Sequence, residues 1–399
     1  MSMKIAVYSD NFYPELSGIS DSIIESAEEL SGLGHDLCIH APRYAKKDFD
    51  RSHVPSAEKK IGFNIEIRRF FAFPYPAPTK QGRMVLPTFL RWLSMRKKRP
   101  DIIHTHLFFG VGFEALAASF FLRAPLIGTN HTPLTEFLQY SPLQGPLLQR
   151  LALRFVSWYY NHCDFVTAPS QGILNEMRHY GFHKPSRVIS NPINLEHFFP
   201  FSRGEHIELK KTFGLSPFAL LYTGRLAPEK HIDDILHAVA LLKDRIPELG
   251  LAITGHGEAE GSLRALAQEL GIEARVKFFG TVSVEDYARI YRAADVFAIM
   301  STAETQSLSM MKAMATGIPV IGARARGLAE YITPENGSLV EPGDTKTLSE
   351  KILFLYQNPE ERQRLGVGGL ETVKRFSRAK IAHAWQELYK EVIEKFKEK

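Results

Sequence analysis

A single acid, Glu304, stands between two segments whose composition predicts a ligand site. The apolar run before it, Ala294–Met300, has the length and composition of a buried parallel strand. Open α/β sheets bind their ligands at the carboxyl ends of such strands. A helix rich in Met and Ala follows the acid, and we expect unpaired backbone N–H groups there, at Thr305, Gln306, Ser307 and Leu308. Because such N–H groups bind anions, residues 301–317 predict a carboxylate beside an anion site.

Two cations follow another apolar run, Phe218–Thr223. Arg225 and Lys230 belong to the motif GRLAPEK, which begins with Gly224. A planar guanidinium and a compact ammonium together suit a diphosphate, and their position at the carboxyl end of a strand favours this interpretation over a surface salt bridge. Negative charge on a bound diphosphate would be stabilised by these two side chains and by the helix start after Glu304.

The first half of the chain carries two further motifs at strand ends. SGISDS, residues 17–22, follows the first strand; Gly18 would let the backbone approach a phosphate, and Asp21 or Ser22 could cap the next helix. A plain tight turn is the alternative. TNHTPLTEFLQY, residues 129–140, places His131 just after a strand, where a histidine taken alone is more often structural.

Apolar strands alternate with amphipathic helices in two series. The first series has strands at Ile5–Ser9, Asp36–His40, Ile102–His106, Leu126–Asn130 and Phe165–Ala168, with helices at Asp21–Gly32 and Phe113–Arg123. The second has strands at Phe218–Thr223, Leu251–Thr254, Val276–Phe279, Val296–Met300 and Pro319–Gly322, with helices at Ile232–Arg245, Gly261–Leu270 and Val284–Ala293. This alternation predicts two doubly wound, Rossmann-like α/β domains.

The predicted domains cover residues 1–195 and 196–377. The segment Ser190–Phe201, rich in Pro and Asn, is the predicted hinge, and residues 378–399 form a strongly amphipathic C-terminal helix. A length of 399 residues agrees with two domains, and contents of 44% apolar and 23% charged residues are ordinary for a globular protein.

The charge of the chain limits which classes of partner it could bind, and its cysteine content indicates the cellular compartment. The net charge of +5 is mild, and its excess of cations lies in the first hundred residues. No interleaved basic and aromatic motif predicts nucleic acid, so an anionic nucleotide or an anionic lipid surface is the better interpretation. Two separated cysteines and the start of a strand near the first residue predict a cytoplasmic protein without a signal peptide. No run of eighteen apolar residues predicts a membrane span.

These motifs together resemble the retaining glycosyltransferases of family 4, which have the GT-B fold. In that family's signature two Glu residues flank seven others; Glu304 takes the first place here, and Lys312 stands at the second. The resemblance implies two Rossmann-like domains facing each other across a cleft, with the C-terminal helix crossing back to the first. It also implies transfer of a hexose from a nucleotide-diphosphate sugar, such as UDP-glucose, without a metal or other cofactor.

The resemblance carries roles for individual residues. His131 would be the active-site histidine that faces the donor sugar, and Glu304 would hold sugar hydroxyls rather than act as a nucleophile. Gly255 would shape the loop near the nucleotide. The base would be held through the main chain near Val276, Lys277 and Phe278. Two departures stand out: Lys312 replaces a ribose-binding carboxylate, and His231 stands where the family often has Gly after its Lys.

Asp48–Phe49–Asp50 has the Asp-x-Asp pattern that holds Mn²⁺ or Mg²⁺ in a different glycosyltransferase fold. Here it falls in the polar segment KKDFDRSH, so we expect solvated surface rather than a metal site. No group of His and Cys residues has the spacing of metal ligands.

The acceptor is predicted from two segments. PLTEFLQYSP, residues 133–142, and the triplet beginning at Glu304 resemble the diacylglycerol glucosyltransferases. A helix over Arg83–Arg99 would carry an apolar face beside cations, formed by Leu86, Phe89, Leu90 and Leu93. Such a helix suits a membrane interface, although the same face could pack on the first sheet. We therefore predict a lipid acceptor at the inner membrane surface. The alternatives are a transferase for a soluble sugar or glycan, and a degenerate member that binds nucleotide or lipid without transfer.

Overall fold

The computed structural model describes residues 2–15, 17–52, 54, 60–75, 81–133 and 145–398. Contacts divide the chain into two compact units. Unit 1 comprises Met1–Pro192 together with Arg378–Lys399, and unit 2 comprises Ile193–Ser377.

Unit 1 is built on a parallel sheet of seven strands. The seven strands of the sheet are β1 Lys4–Tyr8, β2 Asp36–Pro42, β3 Ile65–Phe70, β6 Ile102–Thr105, β7 Leu126–Thr129, β8 Phe165–Ala168 and β9 Ser186–Val188. Two short strands, β4 Phe73–Pro74 and β5 Arg83–Met84, form a separate antiparallel hairpin. The sheet order is β3-β2-β1-β6-β7-β8-β9, and β4 pairs with β5 in the hairpin. The order therefore reverses between β1 and β6. Residues of β6, β7 and β8 are all buried, because helices cover both faces of a parallel sheet.

The helices of unit 1 that precede its last segment are α1 Gly18–Gly32, α2 Lys46–Arg51, α3 Gly110–Leu122, α4 Pro146–Tyr160 and α5 Gln171–His179. Helix α1 begins after Ser17, whose hydroxyl accepts a hydrogen bond from the N–H of Ser20. Ser17 is thus the N-cap in place of Asp21 or Ser22, because a cap must precede the first turn whose N–H group it satisfies.

Unit 2 has six parallel strands in the order β12-β11-β10-β13-β14-β15. The strands are β10 Phe218–Thr223, β11 Leu249–Thr254, β12 Val276–Gly280, β13 Val296–Ile299, β14 Val320–Ala323 and β15 Gly337–Val340. The helices are α6 Arg203–Phe213, α7 Ile232–Leu242, α8 Glu260–Glu269, α9 Val284–Arg292, α10 Leu308–Ala315, α11 Arg326–Tyr331, α12 Thr345–Gln357 and α13 Pro359–Val373. The strand order reverses between the central strands β10 and β13.

The last helix, α14 Arg378–Lys397, belongs to unit 1 and packs on α1. At its start the Arg378 guanidinium pairs with three acids of α1, Glu25, Glu28 and Glu29. Farther along, Trp385 and Tyr389 are buried, and the Tyr389 hydroxyl lies 2.8 Å from Nδ1 of His104. The predicted return of the C-terminal helix to the first domain is confirmed.

The two predicted α/β sheets are also confirmed, and every predicted strand appears within two residues of its expected ends. Five strands escaped prediction: β4 and β5 of the hairpin, and β3, β9 and β15, each of which lies at an edge of its parallel sheet. Edge strands are short or carry polar side chains because neighbours cover them less completely, so their apolar pattern is weak.

The prediction of a helix over Arg83–Arg99 was wrong. The segment begins as β5, continues as an irregular loop and contains a 3₁₀ helix only at Arg91–Met95. The apolar face did not pack on the sheet either, because Leu86 and Leu90 are 53% and 62% exposed. Phe89 has a positive φ of 58°, which interrupts any helix.

Asp48 is not solvated surface, contrary to our expectation. Its carboxylate is buried, pairs with the buried guanidinium of Arg83 and accepts the backbone N–H of Ala45. This ion pair joins α2 to the start of the exposed segment that follows β5. Among the described residues no group of three His, Cys, Asp or Glu side chains could hold a metal ion.

Of the helices that the structure describes, none combines the length and the apolar character that crossing a membrane requires.

Candidate active site

The carboxyl edge of the unit 2 sheet brings four loops together. The N–H of Gly224, after β10, donates to the carbonyl of Thr254, and the N–H of Gly255, after β11, donates to the carbonyl of Gly280. A Cβ on Gly255 would lie 2.0 Å from the carbonyl oxygen of Gly224, so only glycine allows the two loops to touch. This contact lies beside the reversal of strand order, where α/β sheets bind their ligands.

A buried part of the same edge holds an ion pair between two predicted site residues. The Lys230 ammonium lies 2.6 Å from Glu304 Oε1, and each side chain is only 16% exposed. Lys230 follows β10 and Glu304 follows β13, so the pair spans the two strands between which the sheet order reverses. Arg225 also lies on this edge, where its guanidinium pairs with Glu229 of the same loop.

Backbone strain is concentrated around this pair. Five non-glycine residues have a positive φ in the part of the chain that the structure describes, and three of them, His231, Ser307 and Arg326, lie in these loops. His231 directly follows Lys230 and has a φ of 47°, which explains why glycine would suit that position. Strained residues persist where the surrounding structure enforces them, and they are concentrated at functional sites.

The helix after Glu304 begins later than the sequence suggested. Helix α10 begins at Leu308, and the Ser307 hydroxyl caps it by accepting the N–H of Met310. Thr305 and Gln306 precede the helix, so of the four predicted N–H groups only that of Leu308 lies in its first turn. The carbonyl of Glu304 accepts the N–H of Gly327, which ties this loop to the one after β14.

Lys312 has aromatic neighbours. Its ammonium lies 4.9 Å from the centre of the Tyr287 ring and 5.4 Å from that of Phe198. The cation that pairs with the Glu304 carboxylate is Lys230. Aromatic faces attract cations, so these two rings stabilise the position of the Lys312 ammonium.

The structure does not bring Val276 and Lys277 to the same edge. They begin β12, whereas the residue that meets Gly255 is Gly280, roughly 13 Å farther along the strand at about 3.3 Å per residue. The Lys277 ammonium instead donates to the carbonyl of Phe213, and the Phe278 ring lies under the Arg264 guanidinium. Sequence reasoning missed Gly280, although the rule that ligands bind at carboxyl ends of strands would have selected it.

In unit 1 the corresponding edge holds two contacting histidines. His131, after β7, has its Nε2 atom 2.9 Å from Nδ1 of His106, after β6. Both side chains are buried, and burial lowers the pKa of His131 to about 4 and that of His106 well below its usual range. His106 escaped prediction, although HTH at the end of a buried strand was a visible signal.

Asp10 and Gly18 lie in the loop and helix that follow β1. The Asp10 carboxylate accepts the backbone N–H groups of Phe109, Val111 and Gly112 at the start of α3. Burial raises the pKa of Asp10 to about 6, although those three donors act in the opposite direction. Gly18 is the first residue of α1. Of the segment PLTEFLQYSP, residues 134–142 lie outside the described residues.

Comparisons with known proteins agree with this architecture. The family model described as Glycosyltransferase Family 4 matches residues 16–197, and the one described as Glycosyl transferases group 1 matches residues 206–371. A solved structure of Anabaena Alr3699/HepE in complex with UDP-glucose is similar over 98% of this chain and 100% of its own, with a TM-score of 0.76 and 21% identity. The chain therefore belongs to the family-4 glycosyltransferases, and its fold is GT-B.

Two curated relatives carry the same name. The alpha-monoglucosyldiacylglycerol synthase of Acholeplasma laidlawii is 25% identical over 98% of each chain. The alpha-monoglucosyldiacylglycerol synthase of Streptococcus pneumoniae is 29% identical over 80% of this chain and 70% of its own.

Proposed function

We propose that this glycosyltransferase moves a hexose, with UDP-glucose as the preferred donor, to a lipid acceptor such as diacylglycerol at a membrane surface. The observation that carries the proposal is the exposed apolar surface of unit 1. Of 22 large apolar side chains that are exposed among the described residues, 17 belong to unit 1. A concentration of exposed apolar side chains on one unit indicates an interaction site.

Aromatic contacts join this surface across three segments. In the loop after β5, Trp92 stacks on Phe121 of α3 with ring centres 4.7 Å apart. Phe113 of α3 contacts Phe155 and Trp158 of α4. We call the exposed members the apolar surface: Leu86, Phe89, Leu90, Leu93, Phe120, Phe121, Leu147, Leu148, Leu151, Phe155 and Trp158. It includes an open groove of about 340 Å³ whose lining is almost entirely apolar.

Charge around the apolar surface suits an anionic bilayer. Residues 81–99 and 146–160 contain no Asp or Glu, and they carry eight Arg and Lys residues. Arg96–Arg99, Arg150 and Arg154 are exposed. Each cation near an anionic membrane contributes about 1 kcal/mol of attraction. The names of the two synthases above state that they make monoglucosyldiacylglycerol, which supports a lipid acceptor. A lipid acceptor in turn supports a peripheral position, which we propose to be on the inner face of the membrane.

The chemistry of transfer is assigned to the unit 2 edge and to His131. Arg225 and Lys230 stabilise the charge that develops on the departing diphosphate, and Glu304 holds sugar hydroxyls. The configuration at the anomeric carbon is retained, and the departing phosphate accepts the proton of the acceptor hydroxyl. No metal takes part, because the two cations supply the positive charge.

Transfer to the lipid is tested directly with radiolabelled UDP-glucose and diacylglycerol in mixed micelles that contain anionic lipid and EDTA. We expect glucosyldiacylglycerol of α configuration. If the protein transfers glucose only to soluble sugars, the lipid acceptor is wrong and the alternative, a transferase for a soluble sugar or glycan, is correct. Absence of turnover with any nucleotide sugar would favour a degenerate member, and activity that requires added Mg²⁺ would contradict the metal-free mechanism.

Membrane contact is tested by flotation with anionic liposomes. Leu90→Asn combined with Leu93→Asn should weaken binding, and so should replacement of Arg96–Arg99 by Gln or the addition of salt. The matched control is Leu241→Asn, because Leu241 in unit 2 is 55% exposed and lies outside the apolar surface. Liposome binding that is unchanged by the Leu90→Asn and Leu93→Asn substitutions, by the replacement of Arg96–Arg99 and by added salt would contradict the proposed membrane contact.

A further inference from the structure

The contact between His106 and His131 constrains which nitrogen of His131 can reach a substrate. Nδ1 of His106 lies 2.9 Å from Nε2 of His131, and the two side chains are 5% and 8% exposed. The backbone N–H of His106 donates to the carbonyl of Tyr8 in β1, which fixes the position of His106 at the sheet edge. The Nε2 atom of His131 is therefore occupied by a protein neighbour.

The two rings are neutral near pH 7, because burial lowers the pKa of both. A neutral imidazole carries one N–H, and two nitrogens 2.9 Å apart share one hydrogen. One of the two outer nitrogens, Nδ1 of His131 or Nε2 of His106, therefore carries the remaining hydrogen. If His106 donates, Nδ1 of His131 is a donor; if His131 donates, Nδ1 is an acceptor. The tautomers of the two rings are thus coupled.

We propose that His106 is a positioning residue for His131: it occupies Nε2, leaves Nδ1 as the ring nitrogen that meets the donor sugar, and couples the tautomer of His131 to its own. This inference rests on the proposed function, since it gives His131 the role of contacting the donor sugar. Outer partners of functional histidines orient the ring in the same way at metal sites, where their loss costs about 10–100-fold.

A neighbouring pair supplies the control. His104, two residues before His106, has its Nδ1 atom 2.8 Å from the Tyr389 hydroxyl and its Nε2 atom 2.6 Å from Thr129 Oγ1. The Tyr389→Phe variant removes the hydrogen bond between the Tyr389 hydroxyl and the buried His104, and it leaves the contact between His106 and His131 in place.

The experiment compares His106→Leu, His106→Asn and Tyr389→Phe in the full-length protein. His106→Leu should lower kcat about 10–100-fold with a smaller change in KM for the nucleotide sugar. His106→Asn should recover most of the loss, because an Asn amide can reach the position of Nδ1. Tyr389→Phe should leave kcat unchanged. A His106→Leu variant with wild-type kcat, or an equal loss in Tyr389→Phe, would overturn the proposal.

A second measurement does not depend on turnover or on the variants folding. Nitrogen-15 NMR of the wild-type histidines should show His131 neutral at pH 7, with its Nε2 atom hydrogen-bonded to Nδ1 of His106. If no nucleotide sugar supports turnover but this hydrogen bond is present, the proposed function fails while the positioning by His106 stands. A His131 Nε2 atom that is not hydrogen-bonded to His106 in the wild-type protein would overturn the positioning role whether or not the enzyme is active.

Discussion

Lys230 and Glu304 hold each other in place at the unit 2 edge. Their charges lie 2.6 Å apart in a site that is mostly shielded from water. A bound diphosphate would share Lys230 with this carboxylate, so the ion pair keeps the cation oriented before the donor arrives. Preorganised charge of this kind is worth most where a transition state develops negative charge.

Lys230→Ala should therefore reduce turnover far more than stability. Loss of one donor to a developing anion typically costs about 2.7–4 kcal/mol, or 10²–10³ in kcat. Arg225→Ala should act in the same direction. The control is Lys211→Ala, which breaks the exposed pair with Glu208 on α6. Steady-state kinetics and thermal melting of each variant check this, and near-wild-type turnover in both site variants would refute the assignment.

The environment of Lys312 leads to a second prediction. Lys312→Glu would restore a carboxylate that can accept the ribose hydroxyl protons, which an ammonium cannot. We expect tighter binding of UDP without loss of turnover, despite the lost contacts with Tyr287 and Phe198. Isothermal titration with UDP measures this, with Lys312→Gln as the uncharged comparison. A wild-type protein that binds no nucleotide, beside a Lys312→Glu variant that does, would show that the native site has degenerated.

At the scale of elements, the exposed loop after β5 is held by buried acids. Glu114 of α3 is 1% exposed and accepts the backbone N–H groups of Thr88 and Phe89, while Asp48 pairs with Arg83. Two buried carboxylates therefore fix a loop whose apolar side chains face outward. A loop fixed in this way keeps its shape before it meets a membrane.

Removing one of these acids should loosen the loop. Glu114→Ala removes the carboxylate that accepts the backbone N–H groups of Thr88 and Phe89, and each hydrogen bond lost costs about 0.5–1.5 kcal/mol. We expect faster proteolysis within residues 86–93 and weaker liposome binding. Glu66→Ala is the control, because Glu66 is a largely exposed acid that pairs with Arg68. Unchanged proteolysis and flotation in Glu114→Ala would show that the acid does not support the loop.

At the scale of the whole molecule, buried histidines couple the stability of unit 1 to pH. Burial lowers the pKa of His40 and His104 from 6.5 to about 3, and His106 and His131 shift in the same direction. Below pH 6.5 the unfolded chain binds protons that the folded unit does not, so stability falls as the pH falls through this window. Burial raises the pKa of Asp10 to about 6 and also raises that of Glu25, and both acids oppose this trend, whereas the lowered pKa of His35 acts with it.

Unit 1 should therefore lose about 1.4 kcal/mol per pH unit for each net proton on acidification from pH 6.5 towards 4. All three tryptophans, Trp92, Trp158 and Trp385, lie in unit 1, so their fluorescence in urea reports its unfolding. His40→Asn should reduce the slope by about one proton. Stability that is flat over this range would contradict the burial of neutral histidines.

The sequence by itself determined the alternation of strands and helices, and with it two α/β sheets and a returning C-terminal helix. Apolar periodicity is a property of neighbouring residues, so the central strands were predicted within two residues of their ends. The same reasoning located Arg225, Lys230, Glu304 and His131 after strands, since a residue's place along a strand is local information. The resemblance to family-4 glycosyltransferases rested on these same positions.

Contacts between distant residues were decided only by the tertiary structure. Asp48 is buried because Arg83, 35 residues later, reaches it. Lys312 meets aromatic rings from other segments, and His131 meets His106 on the neighbouring strand. The spacing of the apolar residues after β5 predicted one face of a helix. In the structure this segment is an irregular loop that the buried acids Asp48 and Glu114 hold in place. Sequence patterns record which side chains a segment offers, whereas the partner that buries or pairs each one comes from elsewhere in the chain.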